Sequence, residues 1–248
     1  MRSVIHKLLG SFGLEIRLKS RLEANRREEK RLAHVRPWQQ LQCYEPNTIL
    51  DIGANDGLSA RIFRELMPQV KILSFEPLFS CFQQVDRDLR RNPPGQAFHF
   101  ALGDTNEESV IQRNVFTPSS SFLPLDSVHE QSFPQSVDTV PEAVQIKRLD
   151  DVCESLGIIP PFVVKIDVQG FEDKVLKGGE KTFRRASAIV IELSSVSLFK
   201  GQPLFDDVHQ QLRDLGFFFR GVVDQMQSPV DGRILQFDAL YENAGPLE

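Results

Sequence analysis

The chain predicts an open α/β fold, a mostly parallel sheet with crossover helices, and three observations predict it. From residue 48 onward, apolar runs of strand length alternate with helical patterns, the mark of strand–helix–strand units. Ile49-Leu-Asp-Ile-Gly-Ala-Asn-Asp-Gly57 reads as a buried strand that ends in a glycine turn and passes into a helix. Glu76 then closes a second strand, 25 residues after Asp51. In such sheets ligands bind at the carboxyl ends of the strands, where the strand order reverses.

The elements follow in order. The first strand is Thr48–Ile52, and a helix over 58–67 is stopped by Pro68. Lys71–Phe75 is the second strand, and the helix after it, 78–91, stops at Pro93-Pro94-Gly95. A third strand is expected over 97–101, followed by Gly103-Asp104. Residues 105–145 are polar and rich in proline, and read as an irregular insert with one or two short strands that shapes the acceptor site. A strand over 144–147 leads to a short helix capped by Asp150. The run from 162 to 167 is strongly apolar and ends at Asp167. Gly170 then turns the chain into a helix over 172–183. A buried strand over 188–193, a helix over 205–215 and an antiparallel pair at 217–223 and 234–241 complete the sheet.

Residues 1–36 stand apart as a basic helical extension to the α/β domain of 37–248. They carry ten Lys/Arg against four Asp/Glu, a net of +6, while the whole chain is at −5. Met1, Val4, Ile5, Leu8, Leu9 and Phe12 fall at helical spacing, and a charge-rich helix follows over 18–35. Two readings stay open: residues 1–20 touch an anionic membrane or a second subunit, or the extension packs on the domain. A homodimer belongs to the first. The acidic body argues against nucleic acid as partner. Cys43, Cys81 and Cys153 offer neither a zinc cluster nor a disulfide framework, and are expected as reduced thiols of a cytoplasmic protein. No apolar run reaches the ~20 residues of a membrane span.

The glycine loop carries the chemistry. Its spacing is Asp-x-Gly-x-x-x-Gly, with Asn55 where a dinucleotide fingerprint needs its second glycine. That favours a nucleoside without a pyrophosphate, of which S-adenosylmethionine is the commonest. Gly53 and Gly57 let the backbone approach the methionine moiety, and Asp51 or nearby carbonyls accept from its ammonium. Glu76 is placed to accept both ribose hydroxyls. Asp104 is a candidate acceptor for the adenine amino group, or a turn aspartate, and Leu102 and Phe79 are candidates to cover the ring. The alternatives are a glycine turn in another α/β protein, a nicotinamide oxidoreductase, and a non-catalytic binding protein of the same fold.

Asp51-Ile-Gly-Ala-Asn-Asp-Gly57, Phe75-Glu-Pro77, Ala101-Leu-Gly-Asp104, Leu149-Asp150 and Lys165-Ile-Asp-Val-Gln-Gly-Phe-Glu172 together resemble the FkbM family of S-adenosylmethionine-dependent methyltransferases. The resemblance implies a class I (Rossmann-like) three-layer sandwich with a seven-stranded, mostly parallel sheet and one antiparallel strand. It also implies O-methylation of a hydroxyl on a sugar, glycan or glycosylated natural product. Gln169 departs from the family, which most often has glutamate there.

A hydroxyl acceptor must lose its proton, to a general base or under the pull of a metal. Asp167 ends one strand and Glu192 the next, so the two carboxylates are expected side by side. One acts as base while the other orients it, or the pair holds Mg²⁺. Lys165 and Glu172 are expected to form an ion pair. Among five isolated histidines, His129 in the insert is the remaining candidate catalyst. Ser119-Ser120-Ser121 is a candidate lining of the acceptor pocket.

Overall fold

The computed structural model describes residues 22–26, 28, 29 and 31–245. The expected amphipathic helix at the start of the chain lies outside them. The chain divides into two units, residues 1–39 and 40–248. In the first, the described residues between 22 and 35 are helical, and Arg31 pairs with Glu28 one turn away.

The second unit is built on a seven-stranded sheet of order β3-β2-β1-β7-β8-β10-β9. Its strands are β1 (Thr48–Ile52), β2 (Lys71–Phe75), β3 (Gly95–Phe98), β7 (Phe162–Ile166), β8 (Ala188–Ser194), β9 (Phe217–Gln227) and β10 (Ile234–Asn243). All neighbours pair in parallel except β10, which runs antiparallel to both β8 and β9. This is the α/β sheet that the sequence predicts, with its one reversed strand. Every residue of β1 and of β7 is buried, so both faces of the sheet are covered. On one face Leu50, Ile52, Val164, Ile166, Ile189 and Ile191 pack with Val175, Leu176, Phe183, Val208 and Leu212 from helices. The order reverses between β1 and β7: β2 and β3 build outward on one side, β8, β10 and β9 on the other. A crevice opens at such a point because the connections leave in opposite directions.

Four expectations are corrected. The third strand is Gly95–Phe98, and the chain bends at His99-Phe100 before β4 (Ala101–Gly103) joins a different sheet. The region 105–145 is not mainly loop. β5 (Glu107–Asn114) and β6 (Thr139–Arg148) pair antiparallel over eight positions, and β6 pairs in parallel with β4. These strands are largely exposed, so their sequences lack the apolar runs that mark the main sheet. The helix over 172–183 is broken into Glu172–Gly178 and Glu180–Phe183. The break lies at Gly178-Gly179, where a side chain on Gly178 would collide with the carbonyl of Gly103. Finally, Asp150 does not cap its own helix. It accepts from the Thr182 amide (2.8 Å), the Thr182 hydroxyl (2.8 Å) and the Lys181 amide (3.3 Å), and so caps the helix Glu180–Phe183. Among the described residues no helix is long and apolar enough to cross a membrane.

Candidate functional site

The loop after β1 is held open by left-handed backbone at Gly53 (φ 79°), Asn55 (φ 45°) and Gly57 (φ 82°). Only glycine fits at Gly53, since a β-carbon there would strike the carbonyl oxygen of Asp167. The amides of Gly53 and Ala54 both donate to the Phe75 carbonyl, at 3.0 and 3.2 Å, and tie the loop to the end of β2. Glu76 follows directly. One of its carboxylate oxygens accepts from the Asn55 amide (2.7 Å) and the other from the Leu78 amide (2.8 Å). Burial raises its pKa to about 7, against the two backbone donors.

Gly53, Asn55, Glu76, Leu102, Asp167 and Gln169 line one cleft at the switch point. Phe75, Ala101 and Phe171 give it an apolar wall, and Thr117, Ser120 and Phe122 of the insert close it from the far side. The rings of Phe122 and Phe171 lie 4.7 Å apart. Of the three serines singled out in the sequence, Ser120 faces this cleft. Ser119 and Ser121 face a neighbouring groove, and the Ser121 hydroxyl donates to the Gln169 carbonyl (2.6 Å).

Six sequence candidates do not line the cleft. Asp51 is fully buried behind it, with one oxygen accepting from the Ser74 hydroxyl (3.0 Å) and the other without a hydrogen-bond partner among the described residues. Gly57 forms the entry to the helix Leu58–Leu66. Asp104 is taken by Lys177 at 2.9 Å, with Lys174 at 3.9 Å. Phe79, a candidate ring cover, is half exposed and leans on His99. His129 is buried between the rings of Phe133 and Phe199 and meets the Ser119 hydroxyl at 3.2 Å. Burial lowers its pKa. Glu192 stands just behind Asp167, reached through Gln169.

Behind the cleft, neighbouring strands bring one cation and several acids together. Parallel register sets Asp51 beside Lys165, and antiparallel register sets Glu192 beside Asp238. Lys165 pairs with Asp167, not with Glu172, at 2.9 Å. Glu172 instead accepts from the amides of Gly170 (3.1 Å) and Val168 (3.4 Å), and burial lifts its pKa to about 7. Burial works against charge on Lys165, but Asp167, Asp51 and Asp238 outweigh it and keep the ammonium protonated. Burial also opposes charge on Asp167, yet the ammonium at 2.9 Å prevails and lowers its pKa. Glu192 goes the other way. Its burial, with Asp167, Asp238 and Glu172 nearby, raises its pKa well above the usual carboxylate range. The two shifts run in opposite directions, so of the pair Asp167 gives up its proton before Glu192 does.

The Asp167–Glu192 pair, which the sequence offered as an acid–base pair or a seat for Mg²⁺, is bridged by an amide. The Gln169 amide donates to both carboxylates, at 2.7 Å to Asp167 and 2.6 Å to Glu192, and Gln236 adds a third bond to Glu192 at 2.8 Å. Gln236 and Asp238 lie on β10, about seventy residues from Asp167 in the chain, and no local motif announced them. Among the described residues no group of three or more His, Cys, Asp or Glu side chains is arranged to hold a metal.

Residues 51–219 match the family model described as the methyltransferase FkbM domain. A 2-O-methyltransferase, NoeI, of Sinorhizobium fredii is 30% identical over 165 residues, which cover 62% of this chain and 66% of NoeI. The hexuronic acid methyltransferase AglP of Haloferax volcanii is 25% identical over 152 residues, 61% of this chain and 58% of AglP. The chain thus spans about three fifths to two thirds of these two relatives. A crystal structure of Aeropyrum pernix fibrillarin with bound S-adenosyl-L-methionine superposes with a TM-score of 0.43 and 11% identity, over 78% of this chain and 66% of that one. With the family model covering well over half of its length, the chain belongs to the FkbM methyltransferases.

Proposed function

We propose that the protein transfers a methyl group from S-adenosylmethionine to a hydroxyl of a sugar or glycan. The observation that carries the reading is Glu76, a buried carboxylate fixed by two backbone amides at the wall of the cleft beside the glycine loop. The residues present fit the cofactor. Glu76 offers two oxygens to a ribose diol, the tight approach at Gly53 leaves bare backbone for the methionine end, and Leu102 and Phe75 give an apolar wall for adenine. Asp51 is buried and bonded to Ser74. When bound, S-adenosylmethionine supplies a methyl group already activated by its sulfonium, which leaves as a neutral thioether.

The chain's own task is to place the acceptor and take its proton. Asp167 faces the cleft, stays ionised beside Lys165 and accepts the hydroxyl proton as the acceptor oxygen bonds to the methyl carbon. Glu192, whose carboxyl is pushed up by burial and by Asp167, holds its proton more readily and so limits the negative charge beside Asp167. Thr117 and Ser120 of the insert offer hydroxyls to a polar acceptor. The sugar assignment draws on NoeI, described as a 2-O-methyltransferase, and AglP, described as acting on hexuronic acid.

The test is mass spectrometry of hydroxyl-bearing saccharides incubated with the protein and S-adenosylmethionine, with expected products one methylene heavier. On the acceptor so found, Asp167→Asn keeps the shape, removes the base and should cost roughly 10²-fold or more in turnover. Near-normal turnover with cofactor binding intact would rule Asp167 out as the base.

A further inference from the structure

One side-chain amide, that of Gln169, bonds both Asp167 and Glu192, whose carboxyls also meet directly. Gln169 sits in left-handed backbone (φ 51°), with Gly170 next to it at φ 96°, and the Ser121 hydroxyl holds its carbonyl. That turn carries the side chain back over the end of β7. An amide oxygen in this position would face two carboxylate oxygens, so the nitrogen must be the atom presented. Its two hydrogens go one to each acid.

A divalent cation needs several oxygens converging on one point with nothing between them. Here three of the four carboxylate oxygens already accept from nitrogen. Asp167 takes Gln169 on one oxygen and Lys165 on the other, and the inward oxygen of Glu192 takes both Gln169 and Gln236. We propose that Gln169 is the positioning residue that makes this site independent of divalent cations, because its amide fills the seat between the two acids. Exchanging that amide for a carboxylate creates the seat. Gln169→Glu turns the bridge into a third acid, and the three carboxylates then take up a hard cation such as Mg²⁺ or Mn²⁺. Lys165 alone cannot neutralise them, since Asp51 and Asp238 already draw on the same ammonium. The inference uses the methyl-transfer reading only in treating Asp167 as the working base.

Titration of the full chain with Mn²⁺, followed by electron paramagnetic resonance of the free ion, tests it without any acceptor. The wild type should leave the Mn²⁺ signal unchanged. Gln169→Glu should bind Mn²⁺ at least roughly tenfold more tightly, and adding Asp167→Asn to that variant should abolish the gain. Glutamate and glutamine share a shape and the same cost at positive φ, so the turn is preserved. Mn²⁺ binding by the wild type that Asp167→Asn or Glu192→Gln removes would overturn the proposal, whether or not Gln169→Glu folds. So would a folded Gln169→Glu protein with no gain. Calorimetry with S-adenosylhomocysteine on the wild type separates the two readings. Absence of binding there refutes the cofactor assignment, and the Mn²⁺ results still decide the role of Gln169.

Discussion

Glu76 concentrates the electrostatics of the cofactor wall. Its carboxyl is pushed up to about 7, chiefly by burial, against an ordinary value of 4.5. The folded protein therefore holds a proton that the unfolded chain has released between those two pH values. The stability Glu76 contributes is complete below about pH 4.5 and is lost as pH rises through about 7. Hydroxyl donors prefer the ionised form, so affinity for an S-adenosyl ligand has the opposite slope. Between about pH 6 and about pH 8 calorimetric affinity should rise while the melting temperature of the ligand-free protein falls. Asp51, Asp167 and Leu78 surround the same carboxylate, so Glu76→Gln is the control, and it should flatten the affinity profile. A profile equally steep in that variant would assign the titration to another group. At this scale the sequence was legible where one residue at one strand end decides the position, as with Gly53, Glu76 and Asp167, which line the cleft. It was not legible where a side chain chooses between two partners of similar reach. Lys165 took the acid two residues away on its own strand instead of Glu172, which the backbone amides of the 168–170 turn had already satisfied.

The elements deliver these groups in register. β10 runs against β8, which sets Asp238 beside Glu192 and carries Gln236 to the same edge. Pattern alone could announce an antiparallel pair at the end of the chain, but not which acid it would meet. The second sheet was harder to read, because β5 and β6 bury few residues and so leave a weak alternation. The Asp150 cap shows how one carboxylate joins two elements. Asp150→Ala should lower stability by about 1 kcal/mol through loss of the Thr182 and Lys181 bonds. A urea titration would measure it, and affinity for the cofactor should be unchanged. A loss of affinity instead would mean that the helix Glu180–Phe183 supports the cleft.

At the scale of the whole molecule, buried parallel strands surround the switch point and β9 lies at the edge of the main sheet. β1 and β7 are covered on both faces, whereas β9 is a sheet edge with Phe218, Phe219 and Val222 substantially exposed. Native-state hydrogen exchange should therefore find the amides of β1, β7 and β8 exchanging only through global unfolding, and those of β9 through local opening. Equal protection across the sheet would contradict that ranking. The apolar runs of the central strands are what made this core readable from sequence. The contribution of the insert to the cleft was not, since Thr117, Ser120 and Phe122 arrive through a sheet that has no strong periodic signal.

The most direct test of the cofactor assignment is calorimetric titration of S-adenosylhomocysteine into the wild type and into Glu76→Ala. Two hydrogen bonds to a charged acceptor are removed together, so binding should be clear in the wild type and weaker by roughly a hundredfold in the variant. Equal affinity in the two folded proteins would show that the ribose is held elsewhere and that the cleft at the β1–β7 switch point is not the cofactor site.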